Sequence, residues 1–212
     1  MLQTQTVEPA TLELLTKLQQ EPLLASFNLV GGTALALRIG HRKSVDLDLF
    51  TCEEFDLEEL KTMLVDKYGL KVSFERQQTL KGFIGGVMID CIRFNYPHLQ
   101  APDEIDGVRL ESIPDIIAMK LSAIAQNGTR IKDFVDIATL SSKYSLDEML
   151  QFYTIKFPNA NVVMPAKALT YFDEINFDES VVMTSGKFDW KRVAKRLQDM
   201  AKNPQKVFTT NL

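Results

Sequence analysis

At 212 residues, with 45% hydrophobic and 25% charged side chains, the chain can bury a core of its own and fits one domain, or one domain with a smaller helical lobe. No apolar run approaches the roughly 18 residues of a membrane span. The opening MLQTQTVEPA lacks the basic start and apolar centre of a signal peptide, and Cys52 and Cys91 are too few for a disulfide scaffold and too isolated for a zinc site. The expectation is a globular cytoplasmic protein with no membrane partner. The net charge of -4 conceals an asymmetry: residues 187–206 carry seven Lys/Arg against two Asp, a local +5 that leaves the remainder at -9.

In chain order, residues 11–24 have the spacing of an amphipathic helix, and residues 27–30 make a short approach to Gly31-Gly32. Residues 33–39 form about two helical turns ended by Gly40, suited to the left-handed conformation of a C-terminal cap. Residues 45–50 alternate as a strand. Residues 53–68 carry helix-spaced Leu57, Leu60 and Leu64 with Gly69 as a stop, and residues 70–75 and 87–94 read as further strands. After Pro102 the pattern is mainly helical. Ser112 with Asp115 and Ser145 with Glu148 have capping-box spacing. A last helix over residues 190–200 sets Trp190, Val193, Leu197 and Met200 on one face, with Lys191, Arg192, Lys195 and Arg196 largely elsewhere. A mixed α/β first half is thus followed by a helical second half.

Within this pattern, LVGGTALALRIGHRKSVDLDLF (residues 29–50) concentrates the chemistry. Residues i and i+2 of a strand share a face, so Asp46 and Asp48 project together while Val45, Leu47 and Leu49 are expected in the core. Two carboxylates at that range repel, and a hard divalent cation is the simplest compensation. Mg²⁺ takes a few carboxylate oxygens plus substrate phosphates, so a metal nucleotide suits the site. Gly31 and Gly32 lack a Cβ and precede a helix, so backbone N–H groups and the helix N-terminus can meet an anion. Thr33 adds a hydroxyl donor, and Arg38, His41, Arg42 and Lys43 add positive charge nearby. Each element also has a plainer reading: Gly-Gly as a turn, Asp-x-Asp as a solvated strand face, Lys120 as an exposed helix lysine, the C-terminal basic rows as a solvated surface, and His41 and His98 as surface residues.

Val30-Gly31-Gly32, thirteen residues, then Asp46-Leu47-Asp48-Leu49 resembles the signature of the DNA polymerase β-type nucleotidyltransferase superfamily. The fuller GGTALALRIGHRKSVDLDLF, with Arg42, Ser44, Asp46 and Asp48, is similar to the AbiEii/AbiGii toxin family of bacterial abortive-infection systems. The superfamily places a third carboxylate on a neighbouring strand, and Asp90 in VMIDCIRF stands where it is expected. The toxin family also has a Lys-initiated helix followed by Asp-x-x-Asp, here Lys120, Asp133 and Asp136. Members often carry a basic residue where this chain has Asn127, leaving Arg130 or Lys132 to substitute.

The resemblance implies an α+β polymerase β-like fold, a small mixed sheet flanked by helices over residues 1–105, then a helical part over residues 106–212. It implies Mg²⁺ (or Mn²⁺) on Asp46, Asp48 and Asp90, and an NTP on Gly31, Gly32, Thr33, Arg42, Ser44 and Lys120. Asp46, Asp48, Asp90 and Lys120 would be catalytic. Asp133 and Asp136 either orient Lys120, belong to the acceptor side, or form a polar face toward Arg130 and Lys132. The acceptor implied is an RNA end, a tRNA above all, with a cognate antitoxin protein as partner. The alternatives are a small-molecule or protein acceptor, and a non-catalytic binding protein of the same fold, the latter disfavoured by the complete carboxylate triad.

Overall fold

Among the residues described by the computed structural model, 1–210, the chain divides into two units, one of residues 1–97 and 101–111 and one of residues 98–100 and 112 onward. The first unit holds, in chain order, α1 (Pro9–Gln19), β1 (Asn28–Leu29), α2 (Gly31–Ile39), β2 (Leu47–Thr51), α3 (Leu57–Tyr68), β3 (Lys71–Arg76), β4 (Thr79–Ile84), β5 (Val87–Arg93), β6 (Asp103–Ile105) and β7 (Val108–Leu110). Its strands form one mixed seven-stranded sheet in the order β3-β4-β5-β2-β1-β7-β6. The pairings β2–β5 and β1–β7 are parallel and the others antiparallel.

Alternation decides how the central strands sit. Leu47 and Leu49 of β2 align with Ile89 and Cys91 of β5, and all four side chains are buried. The intervening positions turn to the other face. Burial also pushes the Cys91 thiol pKa up to about 12, assisted by neighbouring Asp90, so this cysteine is an inert core group. Beside the sheet, the Gln19 amide donates to the Arg109 carbonyl and accepts from its N–H, while the Arg109 guanidinium donates to the carbonyls of Gln19 and Leu24. Those bonds fasten the end of α1 to β7.

Several boundaries differ from the sequence expectations. The first helix stops at Gln19, and Pro22 opens a separate short 3-10 turn. β2 starts at Leu47, so Asp46 lies just before the strand and Val45 is 54% exposed instead of joining the core. α3 starts at Leu57, not near residue 53, because the Asp56 carboxylate accepts from the Glu59 N–H as an N-cap. After Pro102 a hairpin, β6–β7, precedes the first helix of the second half. β4 was also missing from the sequence reading.

In the second unit, α4 (Ile113–Gln126), α5 (Ile131–Leu140), α6 (Leu146–Lys156), α7 (Val163–Ala168) and α8 (Trp190–Lys202) supply the regular structure. Ser112 caps α4 by accepting from the Asp115 N–H, and Ser145 and Glu148 complete the expected capping box on α6. α4 packs against α5, α6 and α7, and α5 against α8. Trp190 makes edge-on ring contacts with Phe134, Phe172 and Phe177, while Val193, Leu197 and Met200 are buried beneath α8.

A fully buried ion pair underlies this packing: Lys156 Nζ lies 2.6 Å from Asp115 Oδ1. The Asp115 carboxylate also accepts from the Ser112 hydroxyl and from the N–H groups of Leu99 and Gln100. Burial pushes its pKa up, but the bonds from Lys156, Ser112 and Leu99 outweigh it and hold the group below the ordinary value near 3.8. A depressed folded pKa stabilises above the unfolded value, and that contribution is lost as pH falls through the folded one. Asp115→Asn should therefore cost roughly 3–5 kcal/mol at neutral pH by leaving Lys156 buried without its counter-charge. Urea titrations should show the gap between wild type and variant narrowing below about pH 4.

Candidate active site

The site grows out of the pairing of β2 with β5. Asp48 and Asp90 are direct partners in a parallel register, so both side chains leave the same face of the sheet, on neighbouring strands. Asp46 stands two residues before Asp48 and is half-buried like it, whereas Asp90 is buried. Strand pairing thus brings Asp48 and a residue more than forty positions away onto one face, with Asp46 just before the strand.

The glycines approach these carboxylates closely. Gly31 has φ +69°, a conformation that favours glycine, and a Cβ built there would overlap the Asp48 carboxylate. A Cβ on Gly32 would overlap the Arg42 guanidinium and come within 3.4 Å of Ser44 Oγ. The Val30 N–H donates to the Asp48 carbonyl at 2.8 Å. The N-terminus of α2, where the first N–H groups have no intrahelical acceptors, is thereby seated between an acidic group and a buried arginine.

The other residues expected to bind nucleotide have definite places. Thr33 is buried, and its hydroxyl bonds to the Asp46 carbonyl and the Ser44 hydroxyl, so it holds the backbone at Asp46 instead of offering a donor to a ligand. Ser44 is half-buried beside it. Arg42 donates to the Lys43 carbonyl at 3.0 Å and packs against Gly32. Arg38 instead donates to the carbonyls of Leu110 and Glu111 and pairs with Asp103 at 2.8 Å. The Lys43 ammonium donates to the Gln5 carbonyl. His41 is buried, contrary to the surface position expected of it, while His98 is exposed.

Sequence reading missed Lys81. It is the register partner of Asp90 on β4, and its ammonium pairs with Asp90 Oδ2. The other oxygen, Asp90 Oδ1, is buried without a hydrogen-bond partner. LKGFIGG, residues 80–86, lies between the strands read at 70–75 and 87–94 and carries three glycines. Yet Leu80, Gly82 and Ile84 alternate with Lys81 and Phe83, and Gly85 and Gly86, both at positive φ, form the tight turn into β5. That alternation ending at Gly-Gly was the available signal.

In the second unit Lys120 lies mid-way along α4, not at its start, and is buried. Its Nζ is 2.5 Å from Asp133 Oδ1 and 2.8 Å from Asp136 Oδ2, both on α5. The i, i+3 spacing of the aspartates puts them on one helix face toward the lysine. Both aspartates are buried and contact Lys120; of the polar face toward Arg130 and Lys132, Arg130 approaches, at 3.9 Å from Asp133. Arg130 Nε stays 3.9 Å from Asp133 Oδ2 with its side chain 58% exposed, and Lys132 pairs with Glu179 at 3.0 Å.

Asp48 and Asp90 side by side at a helix N-terminus, with one Asp90 oxygen unpartnered and the other held by an ammonium, offer oxygen donors of the kind a hard divalent cation takes. With the mixed sheet this defines a nucleotidyltransferase. The family profile described as "Nucleotidyl transferase AbiEii toxin, Type IV TA system" matches residues 13–106 and 90–206, and the chain belongs to that family. The Aquifex aeolicus protein aq_aa25 is 32% identical over 168 residues, covering 76% of this chain and 81% of its own. Among solved structures, MenT4, a nucleotidyltransferase toxin of Mycobacterium tuberculosis, aligns over 90% of this chain and 86% of its own with a TM-score of 0.57 and 13% identity. JHP933 from Helicobacter pylori aligns over 94% and 93% with a TM-score of 0.54 and 18% identity. These two likenesses establish the α+β fold.

Gly31 and Gly40 allow a controlled comparison. Both have positive φ, but a Cβ on Gly40 would meet only the flexible Gln3 side chain, at 3.0 Å. Alanine at either position should cost about 1–2 kcal/mol in backbone strain. Gly31→Ala alone should also displace Asp48, lowering nucleotidyl transfer at least tenfold below Gly40→Ala at matched stability, as transfer assays with thermal melts will show.

Proposed function

We propose that the chain is a Mg²⁺-dependent enzyme that moves a nucleoside monophosphate from an NTP to a hydroxyl at an RNA end, most specifically a tRNA. In this reading it is the cytoplasmic toxin of a type IV-like toxin–antitoxin or abortive-infection pair, countered by a cognate antitoxin protein. The observation that carries the reading is the parallel register of Asp48 with Asp90, with Asp46 two residues earlier. Family membership supports the toxin role.

Asp46, Asp48 and Asp90 would hold the metal. Bound there, Mg²⁺ neutralises triphosphate charge and makes an acceptor hydroxyl easier to deprotonate. The chain's own residues do the rest. Gly31 and Gly32 let α2 direct backbone N–H groups at phosphate oxygens, with the Arg42 guanidinium and Ser44 hydroxyl beside them. Asp90 helps to draw the proton from the acceptor hydroxyl, whose oxygen attacks the α-phosphorus as pyrophosphate leaves. Lys120, oriented by Asp133 and Asp136, is the cation proposed to stabilise charge developed in the transfer. Arg130, whose side chain is 58% exposed beside Asp133, is proposed as the substitute for the family's basic residue in preference to Lys132, which is paired with Glu179.

Incubation with Mg²⁺, each labelled NTP and total cellular RNA, resolved on one gel, separates RNA, protein and small-molecule acceptors. Label on RNA is expected, with 3′-end mapping to tRNA. Asp46→Asn and Asp48→Asn should each abolish labelling while keeping the fold, at equal or slightly higher stability in EDTA because one repulsive charge is gone. Full activity in either variant contradicts the reading.

The basic C-terminal helix supplies a second test. Lys191, Arg192 and Lys195 are exposed on α8. Arg196, grouped with them in the sequence, donates instead to the Ser141 hydroxyl and the Thr210 carbonyl and stacks on Phe208, so it belongs to the packing. Contacts of exposed lysine and arginine with an RNA backbone release condensed counterions. Neutralising Lys191, Arg192 and Lys195 together should therefore flatten the salt dependence of RNA affinity by roughly one slope unit or more, leaving NTP affinity unchanged. Equal slopes for variant and wild type would remove the helix from RNA binding.

A further inference from the structure

Lys81 is a cationic residue at the centre of an acidic site, and its register leaves it no other neighbour of matching charge. Asp48, Asp90 and Lys81 form one row across β2, β5 and β4, on the face that carries the carboxylates. The Lys81 ammonium pairs with Asp90 Oδ2, while Asp90 Oδ1 is buried without a partner. Asp90 thus has one oxygen taken by a protein cation and one left over. The lysine side chain is 36% exposed on a long flexible stem, against 9% for the aspartate, so the ammonium can withdraw into solvent while the carboxylate cannot. An ionised carboxylate this buried is costly to leave without a compensating charge.

From this row we infer that Lys81 is a resident counter-cation of Asp90, which makes loading of the divalent ion at this carboxylate an exchange of cations instead of a simple addition. The negative charge of the metal-free site is partly offset at Asp90, and metal affinity is held below what three carboxylates alone would give. Lys81 acts here through Asp90, as a positioning residue. The inference rests on Asp90 being one of the metal-holding carboxylates.

The test uses Mn²⁺ alone, without nucleotide, with binding followed by loss of the free-ion signal in electron paramagnetic resonance. Far-UV circular dichroism verifies folding of each variant. Lys81→Met should bind Mn²⁺ about three- to thirtyfold more tightly than wild type, because no ammonium has to be displaced. Lys81→Arg, which keeps the competing charge, should stay within about threefold of wild type. Should Lys81→Met fail to fold, Lys81→Gln carries the same prediction. Unchanged or weaker Mn²⁺ binding in the neutral variant overturns the inference, because a lysine that merely props up Asp90 would lose metal affinity when removed. Asp90→Asn separates the two levels. If it weakens Mn²⁺ binding while Lys81→Met changes nothing, the exchange fails and the triad stands; if it binds Mn²⁺ like wild type, the triad assignment and the Lys81 inference fail together.

Discussion

Everything at the site depends on the parallel alignment of β2 with β5, in which apolar burial on one face forces acidic groups together on the other. Sealing Leu47, Leu49 and Ile89 into the core stabilises that register by roughly 1.5–3 kcal/mol per side chain. Two unit charges about 5 Å apart on adjacent strands repel by roughly 3 kcal/mol at an effective dielectric near 20. Burial wins, but not by so much that the repulsion can be left unanswered. A slip of one residue would relieve it by sending Asp90 to the opposite face, at the cost of exposing Ile89 and Cys91. The sheet therefore holds a carboxylate cluster that its own hydrophobic pattern imposes, and Lys81 and the N-terminus of α2 partly offset the charge.

The helical unit meets the same problem with different means. Asp133 and Asp136 are buried against Lys120, with Arg130 at 3.9 Å from Asp133 Oδ2, an oxygen without a hydrogen-bond partner. Asp115, by contrast, is saturated by Lys156, Ser112 and two backbone N–H groups. A fully satisfied ion pair has the form of a structural fastening. The Lys120 group instead sets two buried carboxylates against one buried ammonium on the neighbouring helix.

Much of this was legible in the sequence, for identifiable reasons. Strand alternation from Leu47 to Phe50, the glycine pair opening an apolar helix, and the capping signatures at Ser112 and Ser145 are local rules, and the structure follows them. The α+β architecture and family could be read from the same residues. What could not be read depends on pairing across long separations. Lys81 gains its meaning from a register with Asp90, and Thr33 from a bond to the Asp46 carbonyl. Arg38 and Arg196 looked like free charges but are consumed by carbonyl and hydroxyl acceptors far along the chain. β6 and β7, at three residues each, are too short for periodicity to register.

The most direct test of the carboxylate cluster as a metal centre is a crystal structure of the protein with Mn²⁺ and a non-hydrolysable NTP analogue, with anomalous data to locate the ion. Manganese density within about 2.1–2.2 Å of carboxylate oxygens of Asp46, Asp48 and Asp90, with the triphosphate toward Gly31 and Gly32, is expected. Manganese bound elsewhere, or a nucleotide seated away from these carboxylates, would contradict it.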